Sequence, residues 1–159
     1  MPRALLINHS ILFLCTSTYL GAGVFLVFFL LPLEPQLDIS NYKVVLVDPI
    51  DYATRFFTWV TILIVITSLI MLVTEWVSGL KWPSIVVLLG VGIATTITHQ
   101  FHFPLNEELA AGITSNDRLA DVLDEWADYS RLRFLFWAVQ WFAVMYYFYS
   151  LAYRSREDQ

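Results

Sequence analysis

Residues 53–76 read ATRFFTWVTILIVITSLIMLVTEW, and beyond VSGLKWP, residues 84–103 read SIVVLLGVGIATTITHQFHF. Each stretch is near the roughly 20 residues a helix needs to cross the hydrocarbon of a bilayer. Neither alternates polar and apolar residues as a barrel strand does. In lipid every backbone N–H and C=O has to be satisfied within the protein, so non-alternating spans are helices. Between them Ser78-Gly79-Leu80-Lys81-Trp82-Pro83 reads as a tight turn. Gly79 suits a helix C-terminus and Pro83 the first turn of the next helix. Trp76 and Trp82 fit an interfacial aromatic belt. The two spans are therefore expected to form an antiparallel hairpin.

Working outward, Leu12 to Leu33 and Arg133 to Tyr153 are two more apolar stretches of similar length. The chain has 159 residues, of which 58% are hydrophobic and only 14% charged, against about 25% charged in a soluble domain. The expected fold is all-α: one domain, residues 1–159, forming a polytopic four-helix antiparallel transmembrane bundle. Its spans are placed at about 10–33, 53–76, 84–106 and 130–153. The first stretch runs too long for a signal-peptide core, and Arg3 is a thin basic flank, so it is read as a retained span. Pro32 and Pro35 are expected to end it. Cys15 is the single cysteine, which excludes an intrachain disulfide and CxxC chemistry and leaves a buried structural thiol.

Two segments lie between spans. Residues 34–52 form a long connection in which Ser40 to Val47 is partly apolar and Asp48-Pro49 reads as a turn. The piece is either a lid on the membrane surface or a plain connector. After Gly112, Ser115 or Asn116 is a candidate N-cap. Leu119, Val122, Leu123 and Trp126 then give residues 116–129 an apolar face. No breaker separates this amphipathic extension from the last span, so a long extended fourth helix is expected.

The segment from Glu107 to Asp128 is strongly acidic, with Arg118 its one basic residue. That argues against a nucleic-acid partner, which needs a basic face. The expected environment is the lipid bilayer. Four spans put Arg3, Lys81, Arg154 and Arg156 on the side of the termini, and Lys43, Arg55, Arg118, Arg131 and Arg133 on the other. If Arg55 and Arg133 are buried at helix starts and set aside, the basic count favours both termini in the cytoplasm.

Polar residues inside the spans are the functional candidates, because they are expensive in lipid. Leu12, Thr16, Tyr19 and Gly23 recur at helical spacing in the first span, a stripe that allows close helix approach. Gly92, Thr95, His99, His102 and Asn106, spaced 3, 4, 3 and 4 apart, share one face of the third. Tyr129, Arg133, Trp137 and Gln140 share one face of the fourth. Antiparallel topology brings Arg55, His99, His102, Asn106, Glu107, Tyr129, Arg131 and Arg133 to one end of the bundle and leaves His9 at the other. His99 and His102 have three readings: structural groups, acid–base or substrate-binding groups, or ligands of iron, copper or haem with Glu107 as a third donor. Arg133 and Arg55 either act on a ligand, or snorkel, or pair with Glu107 or Glu108. Arg131 is expected in an exposed ion pair with Asp124 or Asp128. Trp137, Trp141, Tyr146, Tyr147, Tyr149 and Tyr153 read as packing and interface anchors, among which a flat hydrophobic ligand could stack.

Several motifs resemble the anthrone oxygenase-like family of small four-helix membrane proteins. They are Gly21-Ala22-Gly23-Val24-Phe25 leading to Leu31-Pro32-Leu33, Tyr42 leading to Arg55-Phe56-Phe57, Phe103-Pro104-Leu105-Asn106, and Trp126-Ala127-Asp128-Tyr129-Ser130-Arg131-Leu132-Arg133. The resemblance implies a four-helix bundle and oxygenation of an anthrone to an anthraquinone. It carries over Asn106, Trp126 and Arg133 as site positions. Together with the residue reading, the expectation is an oxidoreductase of the oxygenase type. A hydrophobic, phenolic substrate enters from lipid between the fourth span and the lid. His99, His102 and Arg133 are catalytic, and Asn106, Trp126, Tyr129, Trp137, Gln140 and Arg55 bind substrate. The cofactor is either none or a metal or haem on the histidine pair. The rival expectation is a non-enzymatic accessory subunit docking a membrane protein partner, or a homo-oligomer, through Asp117 to Asp128. A small transporter ranks last, because the polar residues do not line a path through the bilayer.

Overall fold

The computed structural model describes residues 2–157, with side chains as far as residue 154. Within them the chain makes four long helical runs and no strand. These are α1 (Arg3–Gln36), α2 (Lys43–Thr74), α3 (Lys81–Ala111) and α4 (Asn116–Glu157). All four are long and apolar enough to cross a membrane. The all-α bundle expected from the spans is the observed fold.

Helix geometry departs from the regular α form near Pro32, Pro49 and Pro104, for one physical reason. A proline removes an N–H and its ring clashes with the carbonyl four residues back. A π turn widens the helix and absorbs that mismatch. Leu26–Leu30 is a π turn just before Pro32, Lys43–Val47 one just before Pro49, and Thr98–His102 one just before Pro104. Around Pro32 and Pro35, α1 tightens into a 3-10 segment, Leu31–Gln36, and it ends one residue after Pro35, where Leu37 turns extended. Asp48-Pro49 is not a turn but lies inside α2. Residues 43–47 are helical and form the first turn of α2. Likewise α3 runs on to Ala111 and stops at Gly112, the one described residue with φ in the left-handed region, at 107°. Gly79, expected to end α2, does not adopt that conformation, and α2 has already ended at Thr74.

Local hydrogen bonds order the approaches to α2 and α4. The Asp38 carboxylate accepts from the amides of Ser40 and Asn41 at 2.8 and 3.1 Å and from the Ser40 hydroxyl, while the Asp38 carbonyl accepts from Tyr42 N–H at 3.1 Å. The Ser40 hydroxyl and amide hold the Asp38 carboxyl below its ordinary range. The Ser115 carbonyl accepts from Leu119 N–H at 3.0 Å, opening α4.

Each helix packs on its neighbours in sequence, and α4 closes the ring on α1. The diagonal pairs α1–α3 and α2–α4 have no close backbone approach among the described residues. The interior holds two apolar cores. One, near the α2–α3 hairpin, contains Leu12, Cys15, Ile64, Met71, Val87, Val144 and Tyr147. The other, at the far end, contains Leu31, Tyr42, Leu46, Leu109 and the predicted amphipathic face Leu119, Val122, Leu123 and Trp126. At 1.5 Å per residue, α2 is about 48 Å long, well beyond the roughly 30 Å of hydrocarbon.

Outward-facing side chains of α2 include Phe56, Trp59, Ile66 and Val73, which suits a hydrocarbon surround. Trp76 and Trp82 are exposed near the hairpin, with Lys81 Nζ 5.1 Å from the Trp76 ring centre. Arg55 is also exposed, so it is not one of the buried arginines to be set aside in counting charge. The basic residues then stand four against four, and the count favours neither orientation.

Candidate ligand cavity

Between the two cores the bundle encloses a cavity of about 440 Å³, inside the range of roughly 300–1,000 Å³ typical of small-molecule sites. All four helices contribute. Tyr19, Ala22 and Leu26 come from α1, Phe57 and Thr61 from α2, Val91, Ala94 and Thr98 from α3, and Trp126, Trp137 and Gln140 from α4. It is not sealed: Phe25, Val45, Pro49, Ala53, Thr58, Ile62, Thr95 and His99 line it and are also exposed. Those residues lie on α1, α2 and α3, and none is on α4, so the opening is on the flank of the bundle. Val45 and Leu46, from the segment read as a lid or connector, border the cavity as well.

Arg133 is the one charged side chain in the lining. Its Nη1 donates to Thr98 Oγ1 at 3.1 Å, and its guanidinium lies 5.3 Å from the Trp137 ring centre. Thr98 Oγ1 in turn donates to the Ala94 carbonyl at 2.9 Å, which leaves it free to accept. Arg133 Nε is buried with no partner. No carboxylate pairs with Arg133 among the described residues; the ion pairs are Arg118–Glu108 and Arg131–Asp128. The reading in which Arg133 or Arg55 pairs with Glu107 or Glu108 is not met among the described residues: neither arginine has an ion pair, and Glu108 is held in a bidentate pair by Arg118 at 2.7 and 2.8 Å. The exposed pair expected for Arg131 forms with Asp128 at 2.6 Å.

His102 is 1% exposed, and its Nε2 has no partner. Its ring stands edge-on to Trp126, with centres 5.4 Å apart. Trp126 Nε1 donates to Asn106 Oδ1 at 3.0 Å, which fixes the Asn106 amide beside the cavity. Gln140 is 2% exposed, and its Nε2 is likewise buried without a partner. Tyr19 lines the cavity from α1; its hydroxyl donates to the Phe57 carbonyl at 3.1 Å and contacts Thr61 Oγ1, and its ring packs 4.9 Å from that of Trp137.

Of the residues singled out in the sequence, the fold gathers His99, His102, Asn106, Trp126, Arg133, Trp137 and Gln140 around this cavity. It leaves three outside. Arg55 points away on α2, Glu107 is exposed, and Tyr129 stacks on Phe101 with ring centres 4.2 Å apart. No cluster of three or more His, Cys, Asp or Glu suited to a metal occurs among the described residues, so His99, His102 and Glu107 are not assembled as a ligand set. The two histidines also part company. They lie in the π turn Thr98–His102, which takes more residues per turn than an α-helix. Residues three apart then no longer share a face: His102 is buried and His99 is exposed at the rim. Gly92 and Thr95, in the regular α-helical part of α3, stay on the exposed face with His99.

Tyr19 and Thr98 are site residues whose roles the sequence did not disclose. Thr98 lies one position off the predicted stripe. Tyr19 sat on a stripe that was read only as helix packing.

At the hairpin end, His9 belongs to a separate buried cluster, as its position in the first span requires. Tyr147 donates to Glu75 Oε1 at 2.8 Å and meets His9 Nδ1 at 3.2 Å, and Glu75 also accepts from the Ser78 hydroxyl. This arrangement ties α1, α2 and α4 together and has no cavity of its own among those described.

Compared with protein-family models, with curated proteins and with solved structures, the chain matches none.

Proposed function

We propose that the protein is a membrane-embedded oxygenase acting on a hydrophobic phenolic or enolisable small molecule, with the cavity beside Arg133 as its active site. The observation that carries this reading is an unpaired arginine and a buried histidine with a free Nε2 meeting in an otherwise largely apolar, laterally open chamber. The resemblance of the Phe103–Asn106 and Trp126–Arg133 motifs to the anthrone oxygenase-like family supports the same chemistry.

His102, rather than His99, is the general base, because its Nε2 is the one held in the enclosed part of the site. It takes a proton from an activated C–H of the substrate. Arg133 and the Asn106 amide stabilise the resulting oxyanion as preorganised donors in a water-poor site. The carbanion carbon then forms a bond to dioxygen, giving a hydroperoxide after protonation. Loss of the second hydrogen from that carbon with cleavage of the O–O bond releases water and leaves a new C=O. The balance is CH2 plus O2 to C=O plus H2O, with dioxygen as the oxidant.

The test is oxygen uptake with anthrone by protein purified in mild detergent. Turnover above the buffer rate is expected. It should fall by about 100-fold or more in His102→Ala and in Arg133→Ala, the scale of a lost acid–base or oxyanion group, with His99→Ala affected far less. Uptake no faster than in buffer, or unchanged in both the His102 and Arg133 variants, refutes the assignment. The exposed acidic side chains Asp121, Asp124, Glu125 and Asp128 on α4 favour a second reading, an accessory subunit, which predicts a membrane protein that co-purifies in stoichiometric amount.

A further inference from the structure

The interior of the cavity is unbalanced in two independent ways. Its charge is unbalanced, because Arg133 is the lone charged group in the lining and has no carboxylate partner. An ionised side chain held away from water ordinarily has an opposite charge beside it. Its hydrogen bonding is unbalanced as well. Arg133 Nε and Gln140 Nε2 are buried donors without acceptors, and Tyr19 already spends its hydroxyl on Phe57 and Thr61. Buried donors left unpaired cost about 1–3 kcal/mol each. One negative charge carrying acceptor oxygens corrects both deficits at once.

We infer that the cavity takes its ligand as a hydrophobic monoanion, one oxyanion on an apolar body, seated against Arg133 and Gln140 and admitted sideways from the bilayer. This rests on the cavity being the ligand site, as in the proposed oxygenase, and adds the charge state and route. A cation meets Arg133 with no acidic group in the lining to compensate. A dianion leaves one charge unmatched. A neutral ester of the same shape fills the chamber but leaves the arginine uncompensated. The lateral opening at Phe25, Thr58, Ile62, Thr95 and His99 suits a molecule that partitions into lipid first. Such an oxyanion has two sources, an alkyl carboxylate of the membrane or an ionised polycyclic aromatic.

The experiment is calorimetric titration of the detergent-purified protein with two matched pairs: hexadecanoate against its methyl ester, and anthracene-9-carboxylate against its methyl ester. At least one acid should bind about 10-fold or more tightly than its ester. Arg133→Met should shrink that gap below about 2-fold, and Arg133→Lys should keep part of it. The tighter acid identifies the source, alkyl or aromatic, and either result supports the inference. Equal affinities for acid and ester in the unsubstituted protein overturn it without recourse to any variant, as does a gap that survives in Arg133→Met. Oxygen uptake measured on the same samples separates the two readings. An acid–ester gap without uptake sinks the oxygenase and keeps the anion site, whereas uptake without a gap does the reverse.

Discussion

Gly90 should not tolerate alanine, and Gln140 is the reason. A Cβ built on Gly90 would sit 2.7 Å from Gln140 Cγ, 2.9 Å from its Nε2 and 3.1 Å from its Cδ. The nearest of these atoms lies in the middle of the Gln140 side chain, which is 2% exposed and so has little room to swing aside. Overpacking of this kind costs about 1–3 kcal/mol. Alanine in place of glycine inside a helix returns about 0.5–1 kcal/mol. The net expectation for Gly90→Ala is a loss of about 0.5–2 kcal/mol. In a Gln140→Ala background the obstruction is gone, and the same substitution should stabilise by about 0.5–1 kcal/mol. The sign therefore inverts, with a coupling of about 1–3 kcal/mol, in the range seen for directly contacting pairs. Reversible unfolding in mixed detergent micelles, followed by far-ultraviolet ellipticity for the four proteins of the cycle, measures it. A Gly90→Ala protein as stable as the parent, or an equal penalty in both backgrounds, would refute the close approach of α3 and α4 at this point.

Two further substitutions probe the ends of the bundle. Tyr147→Phe removes the donor to Glu75 and the contact with His9 at the hairpin end, and should cost about 1–3 kcal/mol because it strands buried partners; a loss under 0.3 kcal/mol would mean the cluster is not formed. Tyr42→Phe removes a hydroxyl that donates to the Leu109 carbonyl at 3.1 Å and accepts from Ile113 N–H at 2.9 Å. It should speed amide exchange at Ile113 while leaving the membrane-embedded halves of the helices protected, and unaltered exchange there would count against the tie.

The membrane class, the four helices and the single long α4 were legible because each depends on local quantities: segment length, apolar content and the absence of a breaker. The buried face Leu119, Val122, Leu123 and Trp126 followed from periodicity alone for the same reason. The proline positions were visible too, but not their consequence. Whether a proline ends a helix or is absorbed by a π turn depends on the packing around it, and Leu31, Leu46 and His102, in or beside the three π turns, are buried against other helices.

The site divides along the same line. Residue types and spacing on α3 and α4 placed His102, Asn106, Arg133 and Gln140 at one end, because helix direction and antiparallel order suffice for that. Tertiary structure decided what spacing cannot express. The π turn at Thr98–His102 breaks the assumed 3.6-residue register, so His102 turns inward while His99 stays at the rim. Side-chain choice of partner gives Glu108 to Arg118 and leaves Arg133 unpaired. Tyr19, far away in sequence, supplies part of the lining beside Trp137. A cavity is a property of what four helices fail to fill, and only their mutual packing defines it.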